Sequence, residues 1–99
     1  ISNGSIINEK SNSGMTPLHT ACWNGHIDIV KLLISNGSNI NEKDNKIIFG
    51  KTPLHFACEN GNRLIAKYLI EKGANINEKD NNGKTPIDLF NGDKSLLGI

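Results

Sequence analysis

Apolar residues in this chain recur in pairs four residues apart. Ile29/Val30 with Leu33/Ile34, and Ile65/Ala66 with Leu69/Ile70, put each set on one helical face and predict two helices in equivalent settings. Gly37 and Gly73 follow these runs and are placed to end them in a left-handed conformation. Ahead of each run stands a shorter segment, Pro17 to Trp23 and Pro53 to Glu59, opened by a threonine. Threonine can accept from the free N–H groups of a first turn. Proline at the first helical position supplies a pre-set φ and lacks only a donor that had no partner. Asn24-Gly25 and Asn60-Gly61 reverse the chain between the helices of each pair. His26 begins one second helix, and its counterpart Asn62 is expected to cap the other. Polar stretches separate the helix pairs, with one apolar residue in each, Ile40 and Ile76.

The elements repeat. Thr-Pro-Leu-His stands at Thr16 to His19 and at Thr52 to His55, and Thr85-Pro86-Ile87-Asp88 is a degraded third copy. Each copy follows Gly-x, and the first two continue through Ala-Cys to Asn-Gly. Thr16 and Thr52 are 36 residues apart, Thr52 and Thr85 are 33 apart, and this period with this motif resembles the ankyrin repeat. The resemblance covers essentially the whole chain. It implies an all-α solenoid of stacked antiparallel helix pairs with projecting β-hairpin loops, divided into 1–15 (the end of an upstream repeat and its hairpin), 16–51, 52–84 and a partial or capping repeat at 85–99. Because Ile1 to Lys10 nearly repeats Ile34 to Lys43, the chain is expected to begin inside the last helix of an earlier unit, with more repeats before it. The family's histidine at the positions of His19 and His55 bonds loop backbone and links repeats. The family's function is protein binding without catalysis, so the chain is expected to be no enzyme.

Charge and chemistry narrow this further. Lysine and arginine (11) nearly balance aspartate and glutamate (10), and a net charge of +1 gives no reason to expect a nucleic-acid binder. No apolar run is long enough for a membrane span, and the first residues lack the features of a signal peptide, so an intracellular, cytoplasmic setting is expected. Cys22 and Cys58 occupy one position in successive repeats. Packed neighbouring helices would hold them roughly 8–10 Å apart, beyond the ~7 Å reach of a disulfide, so free thiols are expected. Asn36-Gly37-Ser38 matches a glycosylation acceptor but falls where a helix ends. Nothing in the sequence has the spacing of a metal site or a catalytic triad, and no cofactor is expected. Asn-Glu-Lys recurs at Asn8, Asn41 and Asn77. Stacking should align these like charges in rows, and the asparagines should satisfy hairpin backbone.

The middle hairpin departs from the pattern. Eleven residues separate Asn41 from Thr52 where eight separate Asn8 from Thr16, and the insertion brings in Ile47, Ile48 and Phe49 beside Asn45 and Lys46. The resemblance implies that hairpin tips and the ends of first helices line a concave groove that meets partners. Trp23 and Met15 of one unit would then meet Ile47, Ile48 and Phe49 of the next, rimmed by Asn12, Asn45, Lys46, Lys51, Glu59 and Asn60. Such a rimmed apolar patch has the make-up of a binding hot spot. It can equally be local packing, with the insertion folded back over Trp23. The partner expected is a protein and the chain a monomer, with the 47–49 loop as a route to weak self-association. The alternative is a targeting or regulatory segment of a larger enzyme, adaptor or channel.

Overall fold

The computed structural model describes residues 7–44 and 49–98. Two helix pairs follow one another: α1 (Pro17–Asn24) with α2 (Ile27–Ser35), and α3 (Pro53–Glu59) with α4 (Arg63–Glu71). A four-residue helix α5 (Pro86–Leu89) and a 3-10 turn (Lys94–Leu97) complete the described chain. α1, α3 and α5 pack in one row, and α2, α4 and the 3-10 turn pack in a second. Between units the chain runs out as fingers, each drawn together at its base by a backbone bond: Ser11 N–H to Met15 O, Asp44 N–H to Lys51 O and Asp80 N–H to Lys84 O. No β-strand occurs among the described residues, and the described parts of the fingers hold turns rather than β-ladders.

The core runs along the stack as a continuous band. Leu18, Ala21 and Cys22 of α1 meet Leu54, Ala57 and Cys58 of α3, while Val30, Leu33, Ile65, Ala66 and Leu69 fill the space between rows. Ile40 and Ile76 pack against it from the fingers. Both cysteines are free and buried. The apolar pairs of α2 are not all covered: Ile29 is 46% exposed, whereas Ile65, its equivalent one repeat later, is 1% exposed. In the last unit Leu97 closes over the core and Leu96 points outward. Ile99 lies outside the described residues.

Each Thr-Pro start forms a reciprocal cap. Thr16 Oγ1 accepts from His19 N–H, Thr16 N–H donates to His19 Nδ1 at 3.0 Å, and Thr52/His55 repeat the arrangement. Asp88 takes the histidine's place beside Thr85. Because Nδ1 accepts, the proton sits on Nε2, which donates to Lys51 O at 3.2 Å; His55 does the same to Lys84 O at 3.0 Å. One imidazole therefore caps its own helix and holds the next finger. Gly37 and Gly73, at φ 99° and 101°, close the second helices as Schellman motifs, with the N–H groups of Ser38 and Ala74 reaching Leu33 O and Leu69 O.

Stacking corrects two expectations and locates the partners of a third. His26 and Asn62 make no side-chain cap, because Asn62 lies instead against Gly25 of the preceding unit. Asn8 and Asn41 satisfy backbone leading into a finger, as expected, and the backbone is that of the next repeat. Asn8 donates to Gly37 O and accepts from Asn39 N–H, and Asn41 does the same with Gly73 O and Asn75 N–H. The recurring Asn-Glu-Lys triplets do not align like charges. The stagger between fingers sets Lys10 against Glu42 at 2.6 Å and Lys43 against Glu78 at 3.2 Å.

Burial holds both His19 and His55 below the usual imidazole range, only partly offset by their carbonyl partners. A proton on Nδ1 would also face the threonine N–H. The unfolded chain therefore binds more protons than the folded one below about 6.5, so stability is full above that pH and falls as pH drops through it. Chemical melts from pH 7.5 to 5 should show this loss, and His19→Gln with His55→Gln should flatten the profile. Ser38 tests packing in the opposite sense: its buried hydroxyl lacks a partner at the position Ala74 fills in the next unit. Ser38→Ala should raise stability by about 1 kcal/mol in urea titration.

Candidate functional site

α1 ends at Trp23 and Asn24, where the turn at Gly25 sends the chain back. This leaves the indole at the finger side of the stack, 48% exposed. On α3 the residue equivalent to Thr20 is Phe56, 3% exposed, which fills the gap between the two first helices. Trp23 meets its ring edge-to-face at 5.4 Å between centroids and 90° between planes, and His19 meets it at 5.7 Å and 79°. Such pairs contribute about 0.5–1.5 kcal/mol each beyond area burial. Phe49, also 48% exposed, stands over this platform from the finger.

The finger's position is fixed by its neighbour. Phe49 O accepts from Asn81 N–H at 2.9 Å, and Gly50 holds a left-handed φ of 64° beside the Asn81 side-chain oxygen, which would have to shift to admit a Cβ. Asp44 Oδ1 accepts from Lys51 N–H at 2.7 Å, which directs Lys51 inward. Its ammonium lies 5.1 Å from the Phe49 centroid and 5.9 Å from that of Phe56, and pairs with Glu59 Oε1 at 2.6 Å. A partly buried cation beside aromatic faces is worth about 0.5–2 kcal/mol.

Among the described residues, Met15, Trp23, Phe49, Lys51, Phe56 and Glu59 enclose a pocket of about 300 Å³. Five of these were picked out from the sequence, and the fold brings those five together. Asn60 is elsewhere: its Nδ2 donates to Trp23 O at 2.6 Å and ties the ends of α1 and α3. Asn12 does not line the pocket. Asn45, Lys46, Ile47 and Ile48 lie outside the described residues. Phe56, the floor, was missed. Its signal was the break in repeat identity, a phenylalanine where the preceding unit has Thr20.

Chemically the pocket is an apolar recess with an ion pair at its rim. Burial pushes the thiols of Cys22 and Cys58 up to about 12, which makes them inert at neutral pH. No group of three or more His, Cys, Asp and Glu placed to hold a metal occurs among the described residues. None of their helices is long and apolar enough to cross a membrane.

Sequence-family comparison agrees with this architecture. The profile for the ankyrin repeat matches residues 13–45, and that for ankyrin repeats in three copies matches 39–89. The chain belongs to the ankyrin-repeat family, whose repeats are protein-interaction modules and generally non-catalytic. Among its relatives, a probable E3 ubiquitin-protein ligase XBOS32 of Oryza sativa subsp. japonica is 43% identical over 37 residues, covering 37% of this chain and 8% of that protein. The serine/threonine-protein kinase TNNI3K of Mus musculus is 46% identical over 35 residues, 35% of this chain and 4% of the kinase. An ankyrin repeat and KH domain-containing protein, mask-1 of Caenorhabditis elegans, is 58% identical over 31 residues, 31% of this chain and 1% of that protein. The chain thus spans under a tenth of each of these relatives.

The two phenylalanines should separate on substitution. Phe56→Ala should destabilise by about 3 kcal/mol through cavity formation, while Phe49→Ser should stay within about 0.5 kcal/mol because its ring is half exposed. Denaturant titration of both variants checks this, and equal losses would mean that Phe49 belongs to the core.

Proposed function

We propose that this chain is a non-catalytic binding module whose protein partner docks on the finger side of the stack and inserts an apolar side chain into the Trp23/Phe49/Phe56 pocket. The observation that carries this reading is the half-exposed Trp23 and Phe49 standing over a buried Phe56, with Lys51 and Glu59 at the rim. Aromatic residues in a recess edged by charge are the composition in which binding energy concentrates. The rim charges orient the partner, and the apolar floor holds it. Asn45, Lys46, Ile47 and Ile48, next to Phe49 in sequence, are included in the proposed partner contact. The partner is a protein rather than nucleic acid or membrane, and the chain acts as a monomer.

A second reading is compatible with the first: the module serves a larger chain whose activity lies elsewhere. Its support is that the relatives include a ubiquitin ligase and a protein kinase of which the match is a small part.

The test is capture of partners by the immobilised chain and by its Trp23→Ala and Phe49→Ser variants, compared by mass spectrometry, with melting temperatures measured alongside. Proteins held by the wild type should be lost from both variants while the melting temperature of Phe49→Ser stays within a degree or two. An unchanged set of captured proteins would sink the assignment.

A further inference from the structure

The outer row of helices presents a second surface, chemically unlike the finger side. On α4, Leu64, Lys67, Tyr68 and Glu71 follow the helical period and share one face, and on α2 Ile27 and Lys31, four residues apart, stand opposite. Between them runs a groove of about 340 Å³ lined by these six residues. Leu64 is 66% exposed and replaces Asp28, the equivalent residue of the preceding unit, so repetition does not explain an apolar side chain here.

Charge is distributed unevenly between the two sides. The three ion pairs among the described residues, Lys10–Glu42, Lys43–Glu78 and Lys51–Glu59, all lie on fingers and first helices. Lys31, Arg63 and Lys67 of α2 and α4, and Lys72 just after α4, have no carboxylate of the described residues within 4.0 Å, and the acids of these two helices are Asp28 and Glu71. α2 and α4 together with Lys72 thus carry two more cations than anions, in a chain whose whole net charge is +1. The Lys31 and Lys72 ammonium groups each lie 5.6 Å from the Tyr68 centroid, which holds both stems beside the ring and leaves their charge unneutralised.

We propose that this groove docks an acidic segment of a partner protein, with an apolar side chain seated between Leu64 and Tyr68 and carboxylates reaching Lys31 and Lys67. An apolar floor with cations on both walls is complementary to an apolar anchor flanked by Asp or Glu. A recess suits a protruding side chain better than it suits a bilayer, which would require an apolar ridge. Glu71 at one end opposes a phosphate-rich surface there. The site is separate from the Trp23 pocket and can be occupied independently.

The test titrates isotope-labelled protein with a short synthetic peptide having a Leu-Trp centre flanked by glutamates, followed by amide NMR shifts. Expected are shifts at Lys31, Leu64, Lys67 and Tyr68, an affinity that falls with added salt, and no binding of the same peptide with lysines in place of its glutamates. Lys31→Glu with Lys67→Glu, and separately Leu64→Ser, should each weaken binding about tenfold or more with an unchanged melting temperature, since these side chains are exposed. No shifts in the groove at millimolar peptide, or shifts confined to Trp23 and Phe49, would overturn the proposal. So would vesicles of phosphatidylserine binding through the same lysines when the peptide does not.

Discussion

Everything in this stack hangs on one imidazole per repeat. His19 accepts at Nδ1 from the backbone of the threonine that starts its helix and donates at Nε2 to the carbonyl of Lys51 in the next finger; His55 repeats the arrangement with Lys84. The first bond sets where a helix begins, and the second sets how far the next unit is displaced from it. A neutral side chain with one acceptor and one donor at opposite ends of a rigid ring can do both at once. Lysine could not accept and aspartate could not donate. Where Asp88 replaces the histidine, the reciprocal cap at the helix start survives, with Thr85 N–H donating to the Asp88 carboxylate.

With spacing fixed in this way, side chains that are distant in sequence acquire fixed partners. Lys10 meets Glu42 and Lys43 meets Glu78 because the stagger carries a lysine of one finger to the glutamate of the next. These exposed pairs add little to stability individually. Together with the Asn8 and Asn41 bridges they hold the fingers in line, so that Phe49 stands at a defined height over Phe56. The pocket is thus a consequence of the stacking register: Met15 and Trp23 come from one unit, and Phe49, Lys51, Phe56 and Glu59 from the next.

Individuality enters where repeats disagree. Thr20 becomes Phe56, Trp23 becomes Glu59 and Asp28 becomes Leu64, and each exchange falls on a pocket wall or an outer groove. Positions that repeat faithfully, such as the Thr-Pro-Leu-His starts and the Ala-Cys pairs, are buried and concerned with folding, apart from Pro17. The division follows from the architecture: a solenoid must reuse the surface that joins its units and is free to vary the surface that does not.

The sequence by itself determined the helices, the starts of the first helix of each pair, the stops of the second and five of the six pocket residues, from local signals: Thr-Pro caps, glycine stops, apolar pairs four apart and a recurring motif with its departures. Tertiary structure alone decided what crosses from one unit to the next. It set the asparagines expected to satisfy hairpin backbone against the backbone of the next repeat, and turned rows of like charge into Lys–Glu pairs. It withdrew Asn62 from capping, exposed Ile29 while burying Ile65, and made Phe56 the floor of a pocket. Equal spacing in sequence says which residues are equivalent. It does not give the shift and rotation between units, which set an equivalent residue against a different neighbour in the adjoining repeat.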